Sequence, residues 1–315
     1  MKRGGFTLIE IILVIAISAI LSIGTFKAIE ALYIRSMKAQ SLTRLSLDSQ
    51  VVLDQLGSLL DARIPVSVIG YDPDDGSFVP LVKSVSAKPM MEWLSTAKEA
   101  HILKDYSGFI DMDGSDKNSK TLYSPDTDGE KLDATEKRKF DIATSSYDTD
   151  RVRLVFSGSF DEGYGEYGSL EDAFGWHGKG ANHVYKIKIS SDGNISLTGD
   201  KTPAYIYEKY YIADSAYGVA RGESIDLQAA CIQNLGIHVD ANTLFLFFDY
   251  RPWKNESFCA DKNSTSRVGG ATVLGYHATG FRAEWINGTL RLSLDMSEPI
   301  RGSTPVHISK QKVVF

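Results

Sequence analysis

Hydrophobic and polar positions divide this chain into two textures. Between Thr7 and Phe26 the only ionisable residue is Glu10, and most of the others are strongly apolar. A run of about 20 such residues is what a bilayer-spanning helix needs. Lys2 and Arg3 precede it, so its start is expected to stay on the cytoplasmic face. Small residues occur from Ser18 to Ser22, as at a secretory cleavage site, but apolar helical character continues past them. No proline occurs before Pro65, and the only glycines between Phe6 and Pro65 are Gly24 and Gly57. Leu42, Leu45, Val52, Leu56 and Leu59 recur at three-, four- and seven-residue steps, while Arg35, Lys38, Arg44, Asp48 and Asp54 fill the other face. That is one apolar stripe at helical period. It predicts a single helix from Phe6 to about Leu60, roughly 80 Å long.

After Pro65 the period changes to two. Phe281, Ala283 and Trp285 alternate with polar residues, Asn287-Gly288 follows, and Leu290, Leu292 and Leu294 alternate again. Asn-Gly between alternating runs predicts a two-residue hairpin turn. A second hairpin is expected from Val184–Ile189 through Ser190–Asn194 to Ile195–Leu197. Further strands are expected at Arg151–Phe160, Tyr205–Ala213, Thr243–Tyr250 and Val306–Phe315. Leu244–Phe248 is wholly apolar, which predicts a central strand covered on both faces. Residues 105–150 hold twelve Asp/Glu against six Lys/Arg and few apolar side chains, so a loop-rich insertion is expected there. Residues 161–180 read as another surface loop.

Glu10 stands out within the apolar run. A carboxylate there costs a few kcal/mol and calls for a partner. No basic residue follows before Lys27, so the partner is expected outside this chain. The segment Gly5-Phe6-Thr7-Leu8-Ile9-Glu10, after a short basic leader and before an apolar helix, resembles the processing site of type IV prepilins and pseudopilins. The resemblance implies cleavage between Gly5 and Phe6 by prepilin peptidase, N-methylation of Phe6, and pairing of Glu10 with the amino terminus of a neighbouring subunit during assembly. Some members of that family carry a proline that kinks the membrane half, and this sequence lacks it. The segment Tyr210–Arg221, with Thr279-Gly280-Phe281 and the closing hairpin, is similar to J-type minor pseudopilins of type II secretion and to W-type minor pilins.

The resemblance and the patterning together predict an α+β, pilin-like fold. A leader (residues 1–5) precedes a long transmembrane and amphipathic helix (6–62, membrane part about 7–27). The helix packs on a mainly antiparallel β-sheet domain in the periplasm (63–315) that carries the acidic insertion.

Composition sharpens this picture. The 315 residues are 43% hydrophobic and 23% charged, with a net charge of −6, which suits a globular protein and argues against a nucleic-acid binder. Residues 1–64 carry seven Lys/Arg and five Asp/Glu, so the excess acidity belongs to the outer domain. Two cysteines, Cys231 and Cys259, exclude a four-cysteine zinc module. In a translocated domain they are expected to form a disulfide rather than remain as two thiols. Closing that loop contributes roughly 3 kcal/mol in the chain-entropy model.

Candidate chemistry is sparse. Gly163, Gly165 and Gly168 spell a literal GxGxxG, but Asp161, Glu162 and Glu166 in the same loop repel phosphate and no βαβ setting follows. Asp111, Asp113 and Asp116 are the candidate calcium ligands, oxygen donors around a glycine turn without the twelfth-position glutamate of an EF-hand. The simpler reading of these Asp-Gly pairs is turn chemistry. His101, His177, His183, His238, His277 and His307 are scattered, with neither HExxH nor GxSxG nearby, so no catalytic residue is expected. Asn194 and Asn263 lie in sequons, each with an aspartate two residues upstream. The expected function is a non-enzymatic minor pseudopilin at the tip of a type II secretion pseudopilus. Its expected partners are prepilin peptidase, other major and minor pseudopilins or pilins, and the inner-membrane assembly platform. A minor pilin of a type IV or competence pilus is the nearest alternative. A membrane-anchored periplasmic binding protein or adhesin with a prepilin-type leader is the next.

Overall fold

The computed structural model describes residues 7–83, 88–116, 118–140, 151–158 and 170–315. Helix α1 (Leu8–Leu60) is followed by β1 (Ile69–Tyr71), β2 (Phe78–Pro80), β3 (Met90–Thr96) and the short helix α2 (Lys98–Ile102). Next come β4 (Asp111–Asp116), β5 (Thr121–Tyr123), α3 (Gly129–Lys139), β6 (Arg153–Phe156), β7 (Tyr185–Ile189), β8 (Asn194–Leu197) and β9 (Tyr210–Arg221). The rest is α4 (Ala230–Gln233), β10 (Leu244–Tyr250), β11 (Ser257–Phe258), β12 (Arg267–Val268), β13 (Gly270–Gly275), β14 (Ala278–Ile286), β15 (Thr289–Glu298) and β16 (Val306–Val314).

The fold is α+β and pilin-like: one long helix on mainly antiparallel sheet. The large sheet runs β2-β1-β3-β9-β6-β7-β8-β5-β4 and branches at β9, which also pairs with β10, as β10 does with β13. A separate three-stranded sheet, β14-β15-β16, is an antiparallel meander. Its first turn is the expected Asn287-Gly288, both residues at positive φ, with Ile286 opposite Thr289. A two-residue turn of this kind matches the twist of its flanking strands.

The helix docks through its second half. Leu45, Val52, Leu53, Leu56 and Leu60 are buried against Leu290, Leu292, Leu294 and Met296 of β15 and against Trp93, Val219 and Leu246 of the large sheet. The predicted stripe is therefore displaced. Leu42 is 44% exposed, Leu59 is only half-buried, and Leu53 and Leu60 take the positions nearest the core. The helix lies between two sheets at its end, so the buried arc widens there beyond a single stripe. Gly57 lets the last strand approach closely: a Cβ there would stand 2.7 Å from Cε of Lys312. Lys312 reaches on to Asp54 Oδ1 at 2.7 Å, and Lys310 Nζ donates to the Ser46 carbonyl at 2.6 Å.

Strand β10 is covered on both faces, as its apolar run predicts. Leu244 and Leu246 face the helix-side core, while Phe245 and Phe247 face a second core with Trp176, Phe174 and Phe258. Strand β9 starts later than expected, at Tyr210, and continues to Arg221. The acidic segment corrects the expectation of a loop-rich insertion: β4, β5 and α3 lie within residues 105–139. Leu122 and Leu132 join a third core with Ile187, Ile195 and Ile212. Few apolar residues suffice because the elements are short: β5 pairs with β8, α3 packs on β7, and β4 is an exposed edge strand. The expected surface loop at 161–180 is likewise corrected over 170–180, where Ala173, Phe174 and Trp176 are buried. The large rings anchor this glycine-rich stretch to the second core. The GxGxxG run lies outside the described residues.

Candidate functional site

The amino-terminal half of α1 is the functional candidate, and its chemistry begins at the cap. Thr7 is the N-cap in extended conformation, and Glu10 occupies the third helical position. Thr7 Oγ1 accepts from the Glu10 amide at 3.4 Å, while Glu10 Oε2 accepts from the Thr7 amide at 3.0 Å and from the Thr7 hydroxyl at 2.9 Å. This is a capping box, which satisfies helix-start donors that otherwise have no partner. These are neutral donors from its own chain, and the expected charged partner is a separate matter. The sequence signal was present, since Thr-x-x-Glu before an apolar run is the pattern of such a box. The box supplies hydrogen bonds but no counter-charge, and Glu10 remains the acidic residue of the first turn. Gly5 and Phe6 lie outside the described residues.

From Leu8 to Tyr33 every side chain is exposed, including Leu8 at 79% and Phe26 at 76%. Among the described residues α1 is the one helix long and apolar enough to cross a membrane, and its most apolar stretch has no burial within the fold. Exposed apolar surface of this extent marks a surface that meets lipid or other protein. The helix thus carries two different faces in succession: an all-round apolar segment, then an amphipathic segment held by the sheets.

Cys231 and Cys259 are joined as a disulfide with Cα atoms 6.2 Å apart, tying α4 to the segment after β11. The aspartates of the calcium expectation lie on β4, and Asp111, Asp113 and Asp116 are exposed. Asp111 Oδ1 accepts from the amides of Asp113 and Gly114, and Asp116 Oδ1 from the amide of Asn118. These are Asx turns, the turn chemistry that competes with a metal reading. Among the described residues no group of three or more His, Cys, Asp or Glu side chains is arranged to hold a metal ion. Asn194 Nδ2 donates to Asp192 at 2.9 Å, and Asn263 Nδ2 donates to the Pro73 carbonyl.

Two buried charge clusters escaped sequence reasoning. In the first, His177 Nε2 meets Glu92 Oε2 at 2.6 Å, and Nδ1 lies 3.7 Å from Asp261. Tyr250 donates to Glu92 and Tyr71 to Asp261, at 2.7 and 3.0 Å. In the second, Lys139 of α3 pairs with the buried Asp214 of β9, beside a fully buried Glu136 whose two oxygens have no hydrogen-bond partner among the described residues. Both clusters are assembled from residues far apart in sequence, and no local motif announces them. Neither sets a nucleophile beside a base and an oxyanion donor.

Residues 1–26 match the family described as the prokaryotic N-terminal methylation motif. No curated protein and no solved structure matches the chain. Together with the apolar helix α1, which is long enough to cross a membrane, the motif supports a prepilin-like protein, similar to type IV pilins and pseudopilins, and points to a structural subunit rather than an enzyme.

Proposed function

We propose that this chain is a minor pseudopilin, a structural subunit of the tip complex of a type II secretion pseudopilus. The observation that carries the reading is the methylation motif at residues 1–26 on a helix whose first half is exposed and apolar. Prepilin peptidase cleaves between Gly5 and Phe6, and Phe6 is N-methylated. The helix is then held in the inner membrane with the sheet domain in the periplasm. On assembly the apolar segment leaves lipid for a bundle of like helices, an exchange between two apolar surroundings in which packing and polar contacts decide association. Glu10 then pairs with a neighbouring subunit's amino terminus and fixes register. A tip position suits a domain of some 250 residues, which is bulky for a densely packed shaft. A minor pilin of a type IV or competence pilus uses the same chemistry.

Mass spectrometry of the mature amino terminus tests the reading. N-methyl-Phe6 is expected. An intact Met1 would remove the chain from the class.

A further inference from the structure

Arg63 lies three residues beyond the end of α1 and is 8% exposed. Its Nη1 donates to the Leu60 carbonyl at 2.8 Å, closing the helix end. Its Nε is buried with no hydrogen-bond partner among the described residues, and Asp61 acts on its charge through space without forming a salt bridge. A buried guanidinium ordinarily has a carboxylate or phosphate beside it, because its desolvation is otherwise uncompensated. The helix carbonyl accounts for one donor only.

Arg63 lines a cavity of about 410 Å³, within the size range of small-ligand sites. The other charged groups lining it are Lys98, Lys209 and Asp61, with His101 beside them, so cations are in excess. This excess stands out on a domain whose overall charge is strongly negative. Ile102 at 68% and Phe109 at 50% exposure border the same cavity, with Tyr106 buried behind them. Nothing in the filament chemistry above uses this place.

We propose that this cavity binds a carboxylate carried on an apolar body, with Arg63 as its anchor and Lys98 and Lys209 as the flanking cations. The planar fork of a guanidinium matches a carboxylate in two parallel hydrogen bonds. Ile102 and Phe109 then cover the apolar body, a gain that a free inorganic anion cannot supply. The inference is independent of the assembly reading.

The test is calorimetric titration of the full chain in detergent with 3-phenylpropanoate, its amide, and inorganic phosphate at low salt. The acid is expected to bind saturably, with the amide weaker by about tenfold, the scale of one charge-assisted contact. Phosphate is expected to bind more weakly than the acid. The double variant Lys98→Ala/Lys209→Ala, altered only at exposed positions, is expected to keep its melting temperature and lose affinity severalfold. Arg63→Lys, which keeps the charge and loses the fork, is expected to weaken the acid more than the phosphate. Equal binding of acid and amide, tighter binding of phosphate, acid binding indifferent to the double variant, or no saturable heat with any probe would each overturn the proposal.

Discussion

The imidazole of His177 is clamped between structure and charge, with Nε2 2.6 Å from Glu92 and its ring stacked 3.6 Å from that of Tyr71. Glu92 comes from β3, Tyr71 from β1, and Asp261 from the segment after β11. One side chain therefore ties the 170–183 segment to the second core.

That arrangement gives a pH dependence with a definite sign. Burial pulls the His177 pKa down, but the Glu92 carboxylate, and after it Asp261, lift it above the ordinary histidine value of 6.5. A raised histidine contributes stability that is complete below about 6.5 and is lost as pH rises through the folded value. His177→Asn, whose residue tolerates the left-handed backbone found at φ 46, is expected to melt below wild type at pH 6. The gap is expected to narrow toward pH 9. A gap that stays constant across thermal melts in this range would mean that packing alone, and not charge, holds the ring.

Glu136 shifts stability in the same direction of pH, but because its charged form is disfavoured. Burial first, and then the neighbouring Asp214 carboxylate, push its pKa up to about 8, with Lys139 and Arg151 acting against the shift. In the unfolded chain it ionises near the ordinary value, so its contribution falls as pH rises from about 4.5 toward 8. Glu136→Gln supplies a neutral group of the same shape. It is expected to raise the melting temperature by a few degrees at pH 7 and to leave it unchanged at pH 4.

The docking stripe can be separated from the exposed face of the same helix. Leu56 is fully buried between the sheets, and Leu42 is 44% exposed. Leu56→Ala is expected to cost about 2–5 kcal/mol, the range for a large-to-small change in a packed core. Leu42→Ala is expected to fall within about 0.5 kcal/mol of wild type. Denaturant melts followed by tyrosine and tryptophan fluorescence distinguish the two.

Glu10→Ala removes both the acceptor of the capping box and the charge proposed to steer assembly. Membrane insertion is expected to persist, because loss of a carboxylate favours the apolar phase. Co-purification of other pilin-like subunits is expected to fall sharply. Glu10→Gln separates the roles, since an amide can still accept from Thr7. If it restores recruitment, the cap and not the charge is what assembly needs.

Much of the architecture was legible because it is written in local period. The helix limits followed from the absence of proline and the 3.6-residue pattern, and the β14-β15 turn from Asn287-Gly288. Strand β10 followed from an unbroken apolar run. The cores around α3 and around Trp176 were not legible. There a few apolar residues in a charged or glycine-rich stretch find partners more than fifty residues away, and composition averages over them.

The sequence by itself determined the long apolar helix and the methylation motif, because hydropathy, charge flank and spacing all act within a single helix. It also determined the alternation that makes the carboxy-terminal domain a sheet. Only the tertiary structure decided which leucines of α1 are buried, since Leu53 and Leu60 are chosen by the position of two sheets and not by the helix's own period. Only it placed His177 against Glu92 and left Arg63 Nε without a hydrogen-bond partner among the described residues. Such pairings cost desolvation and are settled where distant strands converge, a contact that no window of the sequence contains.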